Sequence, residues 1–288
     1  MRRYLSFPRM RVLKWFSCEF LGRDMSSDLL KGKTAILTGG GTLFGIAVAK
    51  TLIADGAKVM IVEIDPESGA TAARACGSDA IFFHGDITHD DVISDLVAAA
   101  ITAWGRIDIL VNLACSYDDA GADSTRAQWT HTLDVNIASA AMLGAAVRPH
   151  MKKQGGGSII NLTSISSSVA QTGRWIYPVS KAALVQLTRN MAMDYAGDKI
   201  RVNSVSPGWT WSAIMDMLSK GDREKTDRVA APFHLTQRVG DPEEVANVIS
   251  FLASDKASVV TGADWAADGG YSAMGPEQAA PAIPLLEA

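Results

Sequence analysis

Three side chains between residues 164 and 181 carry the groups needed for proton transfer to an alcohol or ketone oxygen. Tyr177 and Lys181 stand four residues apart, and Ser164 precedes the tyrosine by 13 positions. Residues i and i+4 lie on one side of a helix, so the lysine ammonium is expected one turn from the phenol. We predict that Tyr177 exchanges a proton with a substrate oxygen and that Ser164 holds that oxygen.

Lys181 is expected to lower the pKa of the Tyr177 hydroxyl. A free phenol has a pKa near ~10, and a neighbouring ammonium lowers it by favouring the phenolate. A tyrosine tuned in this way can act as a general acid or base near neutral pH. Apolar residues recur at helical intervals over 178–196, which predicts a helix there, and Gly197 suits its end. A Y-x-x-x-K pair also arises by chance on many helices, so the assignment depends on its context.

The composition is typical of a globular protein from a reducing compartment. The chain has 288 residues, 48% of them hydrophobic, which is enough for a full-sized core. A net charge of −4 offers no basic surface for nucleic acid, and the absence of an 18-residue apolar run argues against a membrane span. The three cysteines (Cys18, Cys76 and Cys115) form neither a C-x-x-C motif nor a disulfide framework, so we expect a cytoplasmic location.

The two ends of the chain differ in composition from the rest. The first 24 residues hold six basic and two acidic side chains, a net charge of +4. We therefore expect residues 1–28 to form a disordered basic extension, with an amphipathic surface anchor as the alternative. The apolar stretch 12–21 is interrupted by polar and charged residues and makes a poor signal-peptide core. Residues 276–288, rich in Ala and Pro, are expected to form a tail.

Between these ends, residues 29–275 alternate short apolar runs with amphipathic helices. This alternation requires crossover connections and predicts a parallel sheet, and because the runs are apolar on both faces, helices should cover both sides. We predict a single α/β domain with a doubly wound (Rossmann) parallel β-sheet flanked by helices on both faces. The predicted strands are 34–37, 58–62, 80–83, 107–111, 158–162, 200–205 and 263–266, and the predicted helices are 45–55, 67–76, 89–103, 126–151, 178–196 and 242–253.

A glycine-rich turn follows the first predicted strand. The segment Thr38-Gly-Gly-Gly-Thr-Leu-Phe-Gly45 leads directly into a predicted helix. Glycine lets the backbone approach a phosphate, and the start of a helix offers free N–H groups and the positive end of its dipole. Turns use glycine for other reasons too, but this placement predicts a dinucleotide site. The residues expected to line it are Gly39, Thr42, Leu43, Phe44 and Gly45.

The second predicted strand ends at an acid that indicates which dinucleotide binds. Glu63 stands 18 residues after Gly45, where a carboxylate can hold the ribose hydroxyls of NAD and repel the extra phosphate of NADP. Neither Phe44 nor Ile64 supplies a cation for that phosphate. We therefore expect NAD, with NADP as the less favoured cofactor.

Two more acids lie near this predicted site. Asp65 is a rival partner for the ribose, although Pro66 directly after it is typical of a helix N-cap. Asp86, after the third strand, is placed with Ile87 to meet the adenine edge of the cofactor, although aspartate is common in such loops.

Taken together, residues 31–275 resemble the short-chain dehydrogenase/reductase family in its main single-domain branch. The glycine motif of the family has the form T-G-x-x-x-G-x-G, and here Thr38, Gly39 and Gly45 match it. Leu43 replaces the middle glycine, so we expect it to crowd the pyrophosphate turn and to lower the affinity for the cofactor. The C-terminal signature of the family is matched by Asp268-Gly269-Gly270.

The resemblance also covers the floor of the cofactor site. The N-N-A-G motif of the family appears as Asn112-Leu-Ala-Cys115, so two of its four positions depart. Cys115 is expected to be a small apolar filler rather than a reactive thiol. The further cofactor contacts that the resemblance implies are Asn112, Ala114, Tyr177, Lys181, Pro207, Gly208, Thr210 and Ser212.

The four catalytic positions of the family fall on Asn136, Ser164, Tyr177 and Lys181. The resemblance implies hydride transfer between a nicotinamide and a secondary alcohol or ketone, with Tyr177 as the general acid or base. Lys181 would lower the tyrosine pKa and bind the nicotinamide ribose, and Ser164 would hold the substrate oxygen. Asn136 would hold a water that links Lys181 to solvent.

The substrate itself is less well defined by the sequence. Aromatic and methionine side chains follow residue 208, where relatives carry a mobile lid, and they indicate either a mainly apolar pocket or packing of the lid on the body. Arg174 could meet a substrate carboxylate, but we expect it to be solvated. The acids at 118, 119 and 123 are interpreted as an ordinary polar loop, and the five histidines have no metal-ligand spacing, so no metal site is predicted. The residues predicted to contact substrate are Ser164, Tyr117, Trp175, Trp209 and Met215.

Two other functions remain open at this point. An NADPH-dependent carbonyl reductase of the 3-oxoacyl type is disfavoured by Glu63. A non-catalytic dinucleotide-binding redox sensor would explain Leu43 and the altered N-N-A-G motif, but it would not need all four catalytic positions. The resemblance further implies a homotetramer or homodimer joined through the helices predicted over 126–151 and 178–196.

Overall fold

Seven parallel strands form one sheet in the computed structural model, which describes residues 28–275. The predicted tail 276–288 and the predicted extension 1–28, apart from Asp28, lie outside the described residues. The strands are β1 (Thr34–Thr38), β2 (Lys58–Glu63), β3 (Ala80–His84), β4 (Ile109–Asn112), β5 (Gly157–Leu162), β6 (Ile200–Pro207) and β7 (Asp264–Ala267). Every predicted strand is therefore present, with ends that differ by at most two residues.

Helices cover both faces of the sheet, so the predicted doubly wound α/β fold is confirmed. Within residues 28–275, every helix is too short or too polar to cross a lipid bilayer. The α-helices are α1 (Leu43–Ala54), α2 (Pro66–Cys76), α3 (Asp90–Trp104), α4 (Arg126–Leu133), α5 (Ser139–Lys153), α6 (Ile176–Tyr195), α7 (Ala213–Ser219), α8 (Arg223–Ala230) and α9 (Pro242–Ala253).

The strand order β3-β2-β1-β4-β5-β6-β7 places the first strand in the middle of the sheet. From β1 the chain moves outward through β2 to β3, then returns to the other side of β1 and continues through β4 to β7. The connections that follow β1 and β4 therefore run to opposite faces of the sheet and leave a crevice between them. This crevice is where a ligand is expected in a doubly wound sheet.

The core lies on both sides of the sheet because successive strand residues point to opposite faces. Leu37 packs in the layer formed with α1 and α9, whereas Ile36 packs in the layer formed with α3, α5 and α6. Both side chains are completely buried. Burial on both faces explains why the strands are continuous apolar runs without a polar alternation.

Two parts of the helical prediction were wrong. The helix predicted over 126–151 is two helices, α4 and α5, separated by a π-helical turn at Asp134–Ala138 that carries Asn136. Such a turn contains one extra residue, which the periodicity of side chains cannot reveal. Helices α7 and α8 were not predicted at all. Helix α6 begins at Ile176, so Tyr177 lies in its first turn.

Candidate active site

A cleft of about 960 Å³ opens at the carboxyl ends of the strands. Its lining brings together most of the residues predicted from the sequence, although these come from widely separated parts of the chain. The predicted residues that line it are Gly39, Thr42, Leu43, Phe44, Glu63, Asp86, Ile87, Ala114, Tyr117, Ser164, Tyr177, Lys181, Pro207, Gly208, Trp209, Thr210, Ser212 and Met215.

Four predicted residues lie outside this lining, each for a physical reason. Gly45 lies against the Gly39 carbonyl, where a Cβ would collide, so it serves the packing of the turn. Asn112 is buried and donates a hydrogen bond to Asn161 at 2.8 Å. Asn136 is 2% exposed beneath the cleft. Trp175 is 54% exposed, and the structure does not place it in the lining where it was predicted to contact substrate.

The glycine turn after β1 forms a tight cradle at one end of the cleft. Gly39 has φ +69°, and a Cβ there would lie 2.8 Å from the backbone of Ala114. The Thr42 hydroxyl donates to the Gly39 carbonyl at 3.1 Å and accepts from the Gly45 N–H at 2.9 Å, so it caps α1. A glycine-rich backbone beside the start of a helix fits the pyrophosphate of a dinucleotide, because its N–H groups are not screened by side chains.

Leu43 does not distort this turn. It is the first residue of α1, its side chain is 45% exposed, and it reaches the wall of the cleft. A helix begins there in the ordinary way, with Thr42 as its N-cap. Any effect of Leu43 on a cofactor must therefore come from the space that its side chain occupies.

Glu63 closes over the glycine turn from the end of β2. Its carboxylate accepts hydrogen bonds from the Gly41 N–H at 3.0 Å and from the Ile64 N–H at 2.9 Å. Asp65 instead caps α2, because its carboxylate accepts from the Ser68 N–H at 2.9 Å. Of these two acids, Glu63 is thus the one whose carboxylate contacts the glycine turn. Asp86 accepts from the Thr88 backbone and hydroxyl and also lines the cleft.

Tyr177 and Ser164 meet at the other end of the cleft, where both are buried. Burial raises the pKa of Tyr177 to about 12, and the nearby Cys115 adds to the increase. Hydrogen bonding with Ser164 and Tyr117 and the positive charge of Arg174 oppose that increase. The lowering of the pKa expected from the sequence is therefore wrong for this structure, because desolvation of the phenolate outweighs the nearby cations.

Lys181 is buried beside the tyrosine, as its spacing predicts. Its ammonium lies 5.6 Å from the centre of the Tyr177 ring and donates to the Leu162 carbonyl at 2.7 Å. The side chain is 2% exposed. A cation held in this way at the end of β5 can bind a hydroxyl group that enters the cleft, and ribose is such a group.

Asn136 ties two parts of the site together. Its amide donates to the Ser116 carbonyl at 3.1 Å and to the Ser180 hydroxyl at 3.0 Å, and its oxygen accepts from the Ser116 N–H at 2.7 Å. The π-helical turn aims this side chain at both partners. Asn136 thus links the loop after β4 to α6, and both amide hydrogens are used by protein atoms.

Asp119 is a residue of the site that the sequence analysis missed. Its carboxylate accepts from the N–H groups of Gly121, Trp175 and Tyr177 at 2.9, 3.0 and 2.9 Å. Burial alone would raise its pKa, but these hydrogen bonds lower it. The interpretation as an ordinary polar loop was therefore wrong for this residue. A sequence signal was hard to find, because two of the three donors lie 56 and 58 residues away.

The end of the cleft that contains Tyr177, where the sequence predicts the substrate, is largely aromatic and apolar. The rings of Tyr117 and Tyr177 stack with centres 5.0 Å apart, and Trp209 packs on Phe233 at 5.5 Å. Across the cleft, α7 contributes further apolar side chains. Among the described residues, no group of three His, Cys, Asp or Glu side chains could hold a metal ion. The apolar residues that follow residue 208 do reach this wall, among them Trp211 and Ile214, whereas Gln171 and Leu218 are lining residues that the sequence analysis missed.

Comparisons with known proteins agree with this architecture. A family model described as enoyl-(acyl carrier protein) reductase matches residues 43–272. Dehydrogenase/reductase SDR family member 4 of Homo sapiens is 34% identical over 262 residues, covering 89% of this chain and 94% of that protein. The cis-4-hydroxycyclohexanecarboxylate dehydrogenase of Sinomonas cyclohexanicum is 34% identical over 246 residues, covering 84% and 97%.

A solved short-chain dehydrogenase/reductase from Burkholderia xenovorans has the same fold. It superposes with a TM-score of 0.79 at 34% identity, covering 85% of this chain and 98% of that structure. The chain belongs to the short-chain dehydrogenase/reductase family. Its relatives are dehydrogenases and reductases, and the family usually binds a nicotinamide cofactor.

Proposed function

We propose that this protein is an NAD(H)-dependent oxidoreductase that interconverts a secondary alcohol and a ketone. One observation carries the proposal: a single cleft joins the glycine cradle closed by Glu63 to the buried Tyr177, Ser164 and Lys181. The cradle can hold a dinucleotide at one end, and the hydroxyl groups can hold a reacting oxygen at the other. When bound, the nicotinamide would accept or donate the hydride.

The proton is handled by Tyr177. With a pKa of about 12, its hydroxyl is protonated at neutral pH and can donate to a ketone oxygen as that oxygen becomes an alcohol. Ser164, buried next to it, holds the same oxygen and stabilises the charge that develops there. Lys181 binds the ribose hydroxyls and favours the tyrosinate that remains after proton transfer. Asn136 holds α6, the helix that carries Tyr177 and Lys181.

The preference for NAD over NADP rests on Glu63. Its carboxylate occupies the end of β2 and would repel a phosphate on the ribose. In the described part of the chain, the Lys and Arg residues that line the cleft are Lys181 and Arg174, and both lie beside Tyr177. An extra phosphate near Glu63 would meet no cation from the lining.

The relatives suggest which compounds to assay first. One of them is named for a ring alcohol that carries a carboxylate. Ring alcohols and ketones also suit a cleft of this volume with tyrosine, tryptophan and methionine in its walls. We therefore place cyclohexanols and cyclohexanones, with and without a polar substituent, at the head of a substrate panel.

The test is the reduction of this panel with NADH, measured by loss of cofactor absorbance. The wild type should turn over at least one ketone, and Tyr177→Phe should lose activity by roughly a thousandfold or more because the change removes the hydroxyl proposed to donate the proton. Its affinity for NADH, measured by fluorescence, should be unchanged. Full turnover by Tyr177→Phe with normal NADH binding would refute the mechanism. Wild-type binding of NADH with no turnover of any panel member would favour the redox sensor.

A further inference from the structure

Arg174 is the residue of the cleft whose charge the proposed reaction does not use. It lines the substrate end, half-buried, and its guanidinium carbon lies 4.9 Å from the centre of the Tyr177 ring. A guanidinium over an aromatic ring is attracted by the ring but keeps its N–H groups free to donate at its edges. The reacting oxygen is held next to the same ring.

The guanidinium has no acidic partner in the described part of the chain. Each ion pair found there involves other residues. The polar or aromatic contact of the Arg174 side chain in that part is with the Tyr177 ring. The nearest candidate, Asp119, uses its carboxylate oxygens on backbone N–H groups. The acids of the cleft, Glu63 and Asp86, belong to the dinucleotide end. A half-buried cation of this kind is expected to take an anion from a ligand.

The backbone that carries Arg174 is fixed in place. The Arg174 N–H donates to the Gln171 carbonyl at 3.3 Å, and the next N–H, of Trp175, donates to Asp119. Gly121 lies so close to this turn that a Cβ would be 3.0 Å from the Gly173 oxygen. The position of Arg174 relative to Tyr177 is therefore set before a substrate binds, which lowers the entropic cost of using it.

We propose that Arg174 binds a carboxylate on the substrate, so that the preferred substrates are oxo acids and hydroxy acids. This inference rests on the proposed function and names its substrate class. The planar guanidinium can donate two parallel hydrogen bonds to a carboxylate, which fixes orientation as well as position. The remaining apolar wall then holds the carbon skeleton, and the carbonyl reaches Tyr177 and Ser164.

A rival role for Arg174 must be separated from this one. Its positive charge also lowers the pKa of Tyr177, so its removal could slow every substrate through the tyrosine. Comparison of a carboxylate with its neutral amide distinguishes the two roles. An effect through Tyr177 is common to both compounds and shifts the pH profile, whereas a contact with the carboxylate affects the acid alone.

The experiment compares 4-oxocyclohexanecarboxylate with 4-oxocyclohexanecarboxamide. For Arg174→Gln we expect a roughly 10- to 100-fold lower kcat/KM on the acid, from loss of a charge-assisted hydrogen bond, and a change below about threefold on the amide. Arg174→Lys keeps the positive charge but loses the two parallel N–H donors, so its preference for the acid over the amide should be intermediate. Arg189→Gln removes the same charge from an exposed site on α6, the helix that follows Arg174, and should change neither value. Equal losses on acid and amide in Arg174→Gln would overturn the inference.

Binding without turnover tests the inference independently of the reaction. Calorimetric titration with cyclohexanecarboxylate in the presence of NADH should show binding to the wild type and to Tyr177→Phe, but not to Arg174→Gln. If neither ketone is reduced but this binding pattern holds, the proposed reaction fails and the carboxylate site stands. Equal binding to wild type and Arg174→Gln would remove the carboxylate site whatever the reaction proves to be.

Discussion

The carboxylate of Asp119 accepts a hydrogen bond from the backbone N–H of Tyr177 at 2.9 Å. The loop after β4 thereby holds the first turn of α6, and the negative charge lies at the positive end of the helix dipole. Two further N–H groups, of Trp175 and Gly121, donate to the same carboxylate. The position of the Tyr177 hydroxyl therefore depends on a residue that does not line the cleft.

Asp119→Asn should weaken this support without removing any reacting group. An amide accepts with one oxygen where the carboxylate uses two, so we expect a loss of roughly 1–3 kcal/mol in the free energy of unfolding. A misplaced Tyr177 should also lower kcat more than it raises KM. Chemical denaturation and steady-state kinetics measure the two effects. Asp123→Asn, an exposed acid in the same loop, is the control and should match the wild type in both.

The raised pKa of Tyr177 predicts opposite pH dependences for the two directions of reaction. Below its pKa of about 12 the hydroxyl is protonated, so ketone reduction has its proton donor at neutral pH and should lose it only in strong alkali. Alcohol oxidation needs the tyrosinate, whose population increases as pH rises, so its rate should climb through the range from about 7 to 10. Rates in both directions across this range test the prediction. A plateau of the oxidation rate that begins near neutral pH would contradict it.

Glu63→Ala should weaken the binding of NADH and reduce discrimination against NADPH. The change removes the acceptor for the Gly41 and Ile64 N–H groups and the carboxylate proposed to hold the ribose. We expect the Kd for NADH to increase roughly tenfold and the ratio between the two cofactors to move towards unity. Fluorescence titration measures both constants. Glu67 is an exposed acid of α2, and Glu67→Ala should leave both Kd values unchanged. An equally weakened binding of NADH in that variant would mean that general surface charge causes the effect.

Leu43→Gly should tighten the binding of cofactor at a cost in stability. The leucine side chain reaches the cleft beside the glycine cradle, so its removal gives a pyrophosphate more room. Glycine in the first turn of α1 should lower the free energy of unfolding by about 0.5–1 kcal/mol. Fluorescence titration and thermal unfolding measure the two changes. Weaker NADH binding would mean that Leu43 packs favourably against the cofactor.

We also expect the protein to associate through α5 and α6. Three apolar side chains on these helices, Met142, Val179 and Met193, are between 45% and 82% exposed and could be buried against a partner. Light scattering at micromolar concentration should show a dimer or tetramer, and Met193→Glu should shift it towards monomer. Met217→Glu, on the exposed side of α7, is the matched control. A monomeric wild type would contradict this expectation.

The sequence predicts the strands to within two residues because most of them are buried apolar runs bounded by polar loops. The long helix from 126 was predicted as continuous because a π-helical turn preserves the apolar character of its neighbours and shifts the register by one residue. The short helices α7 and α8 carry weak apolar patterns, and their positions depend on contacts such as that of Arg223 with Asp241. Local patterns do not encode such contacts.

The candidate site was predicted unevenly for a similar reason. Reacting groups such as Tyr177 and Lys181 are identified by their chemistry and spacing. Supporting residues such as Asp119 bind backbone N–H groups that are distant in the sequence. Every residue except proline has such a group, so the sequence does not show which one Asp119 binds. The pKa of Tyr177 also depends on its burial, which is a property of the whole fold. The sequence predicts which residues lie near the cleft but not which of them line it. Trp175 was predicted as a substrate contact and lies outside the lining.

The two walls of the cleft are attached to the protein very differently. The wall with Tyr177 is joined to its neighbours through Asp119 and Asn136, whereas α7 leads into α8, where Arg223 pairs with Asp241 and Asp227 accepts a hydrogen bond from the Val239 N–H. Laboratory evolution can exploit this difference. Libraries confined to residues 213–218 should yield enzymes with new substrate ranges at little loss of folding yield, while the reaction itself is inherited unchanged.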